Sequence, residues 1–120
     1  MRTNVAGVWA IGDIANEYQL KHVANAEAQV AFWNIAHPDQ LRSIDYKAVP
    51  AAENTNPQIA AVGLTEREAR HAGYDVLIGR RDYAGTAYGW ALEDTTSFAK
   101  VIVDRASDLV LGGHILGPQA

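Results

Sequence analysis

The sequence predicts an α+β fold in which an antiparallel sheet with flanking helices is preceded by a separate strand and a long helix. Three observations lead to this prediction. Short apolar runs alternate with turn signals after residue 49. A capping signal between two of these runs marks a short helix. The first 36 residues hold one apolar run followed by a long helical pattern, which differs from the sheet-forming pattern that follows it.

The first predicted element is a buried strand over residues 5–11, which ends at Gly12 and Asp13. Its residues are apolar without polar alternation, as in a strand that is buried on both faces. Gly12 has no side chain, so another backbone or a ligand can come close. Asp13 places an acceptor-only carboxylate at the carboxyl end of the strand, where open α/β sheets bind ligands. The alternative is a plain turn in which Asp13 caps a helix.

A long helix is predicted over residues 18–36, because apolar residues recur there at three- and four-residue steps and alanine is abundant. Asn16 is the candidate N-cap of this helix. Pro38 is expected to end it, since proline cannot donate a backbone hydrogen bond and disfavours helix at the preceding residue. Residues 39–48 are polar with little periodicity and are interpreted as a linker.

The second unit is predicted to begin near Val49. A capping box at Thr65 and Glu68 starts a short helix that runs to about Ala72, and Gly73 suits the left-handed residue after its end. Residues 82–95 are expected to form a loop with a short strand within it. The other strands are predicted at residues 58–63, 76–78, 98–103 and 109–116, the last two joined as a hairpin.

Composition excludes several classes of function. The net charge is −4 with no block of like charge, and phosphate contacts need clustered Lys and Arg, so nucleic-acid binding is not expected. The chain has no cysteine, which excludes disulfides, thiolate zinc sites and a thiol redox centre on these residues. Because no signal peptide is visible and no apolar stretch approaches about 18 residues, we expect a cytoplasmic protein without a membrane partner.

No catalytic residue or metal ligand is predicted. No serine lies in the context of a nucleophile elbow, and the histidines form no convincing ligand set with one another or with carboxylates. We interpret Glu93 and Asp94 as a solvated acidic pair. Three aromatic residues either line an interface or cover the open face of the sheet: Tyr83, Tyr88 and Trp90. The histidines are His22, His37, His71 and His114, and we expect His114 to be a satisfied or exposed strand residue.

Motifs along the chain resemble the flavoprotein disulfide reductases with two dinucleotide-binding domains, which are the pyridine nucleotide-disulfide oxidoreductase family. TNVAGVWAIGD at residues 3–13 resembles the family's second FAD motif. VPAA at 49–52 and TNPQIAAVGLTE at 55–66 resemble the entry to its interface domain. FAKVI at 98–102 and LGGHILGPQA at 111–120 resemble its final strands. Within the family, YQLKHVAN at 18–25 and YGWALED at 88–94 most resemble the mycothione reductase branch.

The resemblance implies three segments and one cofactor site. Residues 1–38 would be the C-terminal end of an FAD-binding domain, 39–48 a linker, and 49–120 an interface or dimerisation domain truncated at its C-terminus. Asp13, beside Gly12, would accept a hydrogen bond from a ribityl hydroxyl of FAD. Leu20, Lys21 and His22 would start a helix whose positive end stabilises charge on reduced flavin. The family often has Leu-Thr-Pro-Val-Ala there, so only backbone roles carry over.

The resemblance also implies the activity of a parent enzyme. Such a homodimer would pass a hydride from NADPH to FAD, then to a cysteine pair and then to mycothiol disulfide. This chain has no cysteine pair, no glycine fingerprint for the pyrophosphate, and no His-Pro segment after its last strand. We therefore expect a reductase fragment that is inactive alone. The alternatives are a sibling like dihydrolipoamide dehydrogenase and a stand-alone, non-catalytic dimerisation module.

Overall fold

The computed structural model describes all 120 residues, which divide into two compact units, Met1–Tyr46 and Lys47–Ala120. The first unit contains a 3-10 turn at Gly12–Ile14, which we call the Gly12 turn, and helix α1 (Lys21–Ala36). No helix combines the length and the apolar character that a membrane crossing needs. The second unit contains strands β1 (Ala51–Glu53), β2 (Ile59–Gly63), β3 (Val76–Asp82), β4 (Phe98–Asp104) and β5 (Val110–Leu116), with helices α2 (Glu66–His71) and α3 (Ala87–Ala91).

The prediction of a buried strand over residues 5–11 is wrong for this structure. The segment forms turns, and a single antiparallel bridge joins Arg2 to Trp9. Thr3 N–H donates to Val8 O at 3.1 Å, so the segment folds back on itself. A strand needs a neighbour to pair its backbone, and the first unit offers no second strand. The apolar side chains are consequently exposed, 48% for Val8.

Helix α1 starts later than predicted and ends where Pro38 requires. Its last residue is Ala36, and the N–H of His37 donates to Trp33 O. The prediction that Asn16 is the N-cap is wrong, because the N-cap is Leu20, which offers no side-chain bond. One stripe of the helix is buried at three- and four-residue spacing. Its members are Val23, Glu27, Ala31 and Asn34, of which Glu27 and Asn34 are polar.

Residues 40–46 pack along α1. The side-chain amide of Asn34 accepts from Arg42 N–H at 2.7 Å and donates to Arg42 O at 2.9 Å. The indole of Trp33 donates to Gln40 O at 2.8 Å. The Arg42 guanidinium lies 3.3 Å from the centroid of the Trp33 ring, and the His37 ring stacks on that indole at 3.9 Å. Side-chain bonds therefore hold this segment in place without regular secondary structure.

The second unit is a five-stranded sheet in the order β1-β2-β5-β4-β3, with every neighbouring pair antiparallel. This confirms the predicted fold class. The hairpin of β4 and β5 is present, with an irregularity between Ile102 and Val103. Two details differ from the prediction: β1 pairs with β2 although no strand was expected there, and β3 continues past Ile78 to Asp82.

Helix α2 covers one face of the sheet. Its capping box is present as predicted, with Glu68 N–H donating to the Thr65 hydroxyl and the Glu68 carboxylate accepting from Thr65 N–H. Gly73 has φ +86°, as predicted for the residue after the helix. The core beneath the helix is formed by Ala69, Val76 and Ile102, with Leu64, Ile78 and Leu111 packed against it.

The prediction of a short strand within residues 82–95 is also wrong. A 3-10 turn at Tyr83–Gly85 leads into α3, and the Thr86 hydroxyl caps α3 by accepting from Gly89 N–H at 3.1 Å. Gly89 is buried, and a Cβ atom there would overlap the carbonyl of Tyr83, so a larger residue does not fit. The glycines that suggested a loop therefore permit a tightly packed helix.

Candidate functional site

Gly12 occupies a position that only glycine fills easily. Its φ is +69°, and a Cβ atom built on it would lie 3.3 Å from the Cβ of Ala24. The Gly12 turn therefore rests against α1, one helical turn after Lys21. The neighbour of Gly12 on this side is the Ala24 side chain, and not the backbone that the sequence analysis allowed for.

Asp13 is exposed, and its carboxylate has no hydrogen bond or ion pair within the chain. It does not cap α1, whose N-cap is Leu20, so the alternative interpretation of Asp13 as a helix cap is wrong. An exposed carboxylate with no internal partner can accept hydrogen bonds from a ligand.

The start of α1 is electrostatically open. Ala24 N–H makes the first helical bond, to Leu20 O at 3.1 Å. The preceding N–H groups of Lys21 and His22 therefore have no acceptor within the helix. The first turn contains no acidic residue, and Lys21 and His22 are exposed. The positive end of the helix dipole is thus available to a ligand that carries negative charge.

These observations bring the sequence-predicted site residues to one end of the first unit. Because Gly12 packs on Ala24, the Gly12 turn that contains Asp13 lies beside the first turn of α1, which Leu20, Lys21 and His22 begin. The arrangement combines a carboxylate acceptor with unpaired backbone donors. No three histidine or acidic side chains of the chain come together as a metal-binding group.

Sequence reasoning missed Glu27, which is the most buried polar residue near this site. Its side chain is 1% exposed. Oε2 accepts from Gly12 N–H at 2.6 Å, and Oε1 accepts from the Asn16 amide at 3.0 Å and from the Tyr46 hydroxyl at 2.5 Å. The signal in the sequence was an acidic residue on the buried stripe of an amphipathic helix, four residues after Val23.

The electrostatics of this cluster follow from its hydrogen bonds. Burial raises the pKa of Glu27, but the bonds from Tyr46, Gly12 and Asn16 outweigh that effect and hold the pKa below its ordinary value of 4.5. The bond to Glu27, together with burial, raises the pKa of Tyr46 to about 12. Tyr46 also stacks on Tyr18, with ring centroids 5.3 Å apart. Glu27 is therefore a buried carboxylate that neutral donors stabilise.

The aromatic residues of the second unit do not form a lid on the sheet. Trp90 is 77% exposed on α3, and Tyr88 is also exposed. Tyr83 is half-buried and meets the edge of Tyr88 with ring centroids 6.3 Å apart. Of the two interpretations left open by the sequence, the exposure of Trp90 fits an interface.

The face of the sheet opposite α2 is uncovered and apolar. Val62, Gly113, Val101 and Gly79 lie side by side on it across β2, β5, β4 and β3. Val62 is 37% exposed, Val101 is 42% exposed, and Leu77 on β3 is 44% exposed. Exposed apolar surface of this kind is available for a contact with another molecule.

Two predictions about single residues need correction. Asp94 is not part of a solvated pair, because its carboxylate accepts from the N–H groups of Ser97 and Thr96 at 2.9 and 3.0 Å. The bonds from Ser97, then Thr96, lower its pKa to about 2. His114 is neither satisfied nor exposed: both of its ring nitrogens are buried without a partner.

A recess of about 370 Å³ in the first unit lies away from the predicted cofactor residues. Arg2, Trp9, Leu41 and Arg42 are among its lining residues, and neither Asp13 nor the start of α1 contributes to it. The candidate site is therefore a surface at the N-terminal end of α1, not an enclosed pocket.

Comparison with known proteins follows the same division of the chain. Residues 49–120 match the family described as "Pyridine nucleotide-disulphide oxidoreductase, dimerisation domain". Over 99% of its length the chain is 47% identical to mycothione reductase of Mycobacterium tuberculosis strain H37Rv, covering 27% of that protein. It is 38% identical to dihydrolipoyl dehydrogenase of Mycobacterium leprae, covering 25% of it. The chain thus spans about a quarter of the length of these relatives.

Solved structures show the same fold. The crystal structure of LpdA from Mycobacterium tuberculosis superposes with a TM-score of 0.83 at 26% identity, covering 98% of this chain and 25% of that one. The Cu(II) complex of a cysteine-to-serine mutant of the HOCl-induced flavoprotein disulfide reductase RclA from Escherichia coli gives a TM-score of 0.87 at 24% identity, covering 99% of this chain and 27% of that one. At that identity the second likeness concerns the fold alone.

Proposed function

This chain belongs to the pyridine nucleotide-disulphide oxidoreductase family, and from that premise we propose that it works as part of a flavoprotein disulfide reductase. In that role its first unit supplies a strip of the FAD site and its second unit supplies the homodimer contact. The observation that carries the proposal is the meeting of Asp13 with the uncapped start of α1 at one end of the first unit. Unpaired N–H groups at a helix start favour a ligand that carries negative charge, and an exposed carboxylate accepts hydrogen bonds from hydroxyl groups.

The residues present fit the ribityl and pyrimidine end of FAD. Asp13 is exposed and unpartnered, so its carboxylate can accept a hydrogen bond from a ribityl hydroxyl. The free N–H groups of Lys21 and His22 can donate to the N1/C2=O side of the ring. When bound, FAD supplies the hydride acceptor of the reaction. The chain itself supplies orientation and a favourable field, and no thiol, because it contains no cysteine.

For the whole enzyme we propose mycothiol disulfide as substrate, with NADPH as reductant. Support comes from the 47% identity to mycothione reductase and from the sequence runs at Tyr18 and Tyr88. The second candidate is a dihydrolipoamide dehydrogenase, which the 38% identity to dihydrolipoyl dehydrogenase supports. We also propose a cytoplasmic location and no reductase activity for residues 1–120 alone.

Turnover assays test this assignment. The natural protein that contains this chain, loaded with FAD, is expected to oxidise NADPH with mycothiol disulfide faster than with lipoamide. The 120-residue chain is expected to show no turnover with either pair of substrates. Preference for lipoamide and the NAD⁺/NADH couple would favour the second candidate, whereas no disulfide-dependent turnover by the natural protein would refute both.

The homodimer proposal has a separate test in the second unit. Its uncovered sheet face and the exposed Trp90 offer apolar area to a second copy. Sedimentation velocity on the chain should show a dimer that Val101→Lys weakens strongly, because a lysine ammonium would be buried on that face. Leu109→Lys, at an exposed apolar position in the β4–β5 hairpin, is the matched control. A monomeric wild type, or equal effects of the two variants, would contradict the proposal.

A further inference from the structure

We propose that Glu27 is the positioning residue of the flavin-contacting turn: its buried carboxylate fixes the Gly12 turn, which presents Asp13 to the cofactor. The identity of the ligand rests on the proposed function. Glu27 lies within α1 and is itself buried, so it acts on the ligand only through Gly12. No other side chain bonds the backbone N–H of Gly12.

The geometry shows how one carboxylate orders three segments. Gly12 N–H donates to one of its oxygens at 2.6 Å. Asn16, which follows the turn, donates one side-chain bond to Glu27 and another to Gly12 O at 3.0 Å. Tyr46, the last residue of the first unit, donates a hydrogen bond from its hydroxyl to the other carboxylate oxygen of Glu27. Both polar backbone atoms of Gly12 are therefore fixed, and bonds to a carboxylate are about twice as strong as neutral ones.

The chemistry of the cluster requires a carboxylate and not merely a polar group. Donors approach both oxygens of Glu27. A glutamine has one acceptor oxygen and one NH₂ donor, so whichever way its amide turns, a donor faces a donor. Glu27→Gln is thus a test of the acceptor pattern at nearly constant volume. Tyr46→Phe is milder, because it removes one donor and leaves the bonds from Gly12 and Asn16 in place.

Amide hydrogen exchange of the isotopically labelled chain tests the first step. Exchange of the Gly12 amide should be about tenfold to a hundredfold faster in Glu27→Gln, the range expected when a hydrogen bond to a charged group is lost. Tyr46→Phe should give a smaller increase. Glu17→Gln, which neutralises an exposed acid of the same unit, is the matched control and should leave Gly12 unchanged. Unchanged Gly12 exchange in Glu27→Gln overturns the proposal.

Flavin affinity of the natural protein tests the second step. Glu27→Gln is expected to weaken FAD binding about tenfold, as one hydrogen bond to a charged group becomes misplaced. Asn34→Ala, on the same buried stripe, removes two bonds to Arg42 and serves as a control for loss of packing alone. It should lower thermal stability and leave FAD affinity unchanged.

The outcomes separate the possible failures. Equal losses of affinity in Glu27→Gln and Asn34→Ala would show that Glu27 only supports packing, and would overturn the proposal. Faster Gly12 exchange in Glu27→Gln with unchanged FAD affinity would also overturn the proposal, because the Gly12 turn would then not influence the cofactor. If Glu27→Gln does not fold, Tyr46→Phe carries both measurements with a smaller expected effect. A wild-type protein that takes up no FAD refutes the proposed function, and the Gly12 exchange then still decides whether Glu27 holds the turn.

Discussion

The two units of the chain are stabilised in different ways. The second unit pairs five strands and buries apolar side chains, with Ala69 and Ile102 fully inaccessible to solvent. In the first unit two of the four buried positions of α1 are polar, Glu27 and Asn34. Those two side chains tie the surrounding segments to the helix. The second unit also buries Ser97 and Asp104, but it has strand pairing and a contiguous apolar core, whereas the first unit relies more on the hydrogen bonds of a few polar groups.

The difference has a consequence for function. Backbone ladders and a packed core resist local opening, whereas a turn held by a few side-chain bonds opens at lower cost. The predicted cofactor contacts lie on the Gly12 turn and the start of α1, in the less extensively packed unit. Each unit should consequently respond to a different perturbation.

Truncation of the core should have the largest effect, and it should be confined to the second unit. Ile102→Ala removes a side chain that is 0% exposed beneath α2, and the cavity and lost burial should cost about 2–5 kcal/mol of unfolding free energy. Urea denaturation followed by far-UV circular dichroism measures this cost. Leu109→Ala, in the β4–β5 hairpin and 61% exposed, is the control and should cost less than about 1 kcal/mol.

The indole N–H resonance of Trp33, which donates to Gln40 O, reports on the first unit in the same samples. It should keep its position in Ile102→Ala under native conditions. A shift of that resonance equal to the shift seen on unfolding would mean that loss of the second unit's core also unfolds the first unit.

Local sequence signals were sufficient for most of the second unit. Strands β2, β4 and β5 and the capping box of α2 depend on patterns within a few residues of one another. Strand β1 was missed because Ala51–Glu53 carries no apolar alternation. Helix α3 was missed because glycine usually breaks helices, and its burial against the Tyr83 carbonyl appears only in three dimensions.

In the first unit, local sequence signals predicted less of the structure. The positions of Gly12, Asp13 and the start of α1 follow from one motif and its resemblance, and the structure brings them together. Glu27 was missed because its donors come from three separate segments, and no local pattern connects Gly12 to Tyr46. The supposed strand over residues 5–11 has the composition of a buried strand, but a strand also needs a paired neighbour, which composition does not reveal.

Alkaline pH should affect the first unit more than the second, through Tyr46. Its pKa is raised by the bond to Glu27 from 10.0 to about 12 in the folded chain. A raised pKa contributes stability that is fully present below the unfolded value and is lost as the pH rises through the folded one. Urea denaturation followed by a carbon-bound ring proton of Trp33, which does not exchange with solvent, should therefore show destabilisation between pH 10 and 12, by about 2 kcal/mol.

Tyr46→Phe should remove this alkaline loss, and Tyr74→Phe, an exposed tyrosine of the second unit, should leave it intact. At acid pH the first unit should lose stability as the pH falls, because the pKa of Glu27 is lowered in the folded chain. The stability that Glu27 contributes is present above its unfolded pKa of 4.5 and is lost as the pH falls through its folded pKa. An alkaline loss of the same size in Tyr46→Phe would contradict the role assigned to the Glu27–Tyr46 bond.

The smallest expected effect concerns the helix that covers the sheet. Thr65→Ala removes the hydroxyl that accepts from Glu68 N–H at 3.3 Å and donates to the Glu68 carboxylate at 2.7 Å. Loss of an N-cap costs about 1 kcal/mol, so the urea midpoint of the second unit should fall slightly. Thr95→Ala, an exposed threonine outside the regular elements, is the control. Because α2 lies on the core around Ala69, a Thr65→Ala loss as large as that of Ile102→Ala would mean that the cap, and not apolar burial, limits the stability of the second unit.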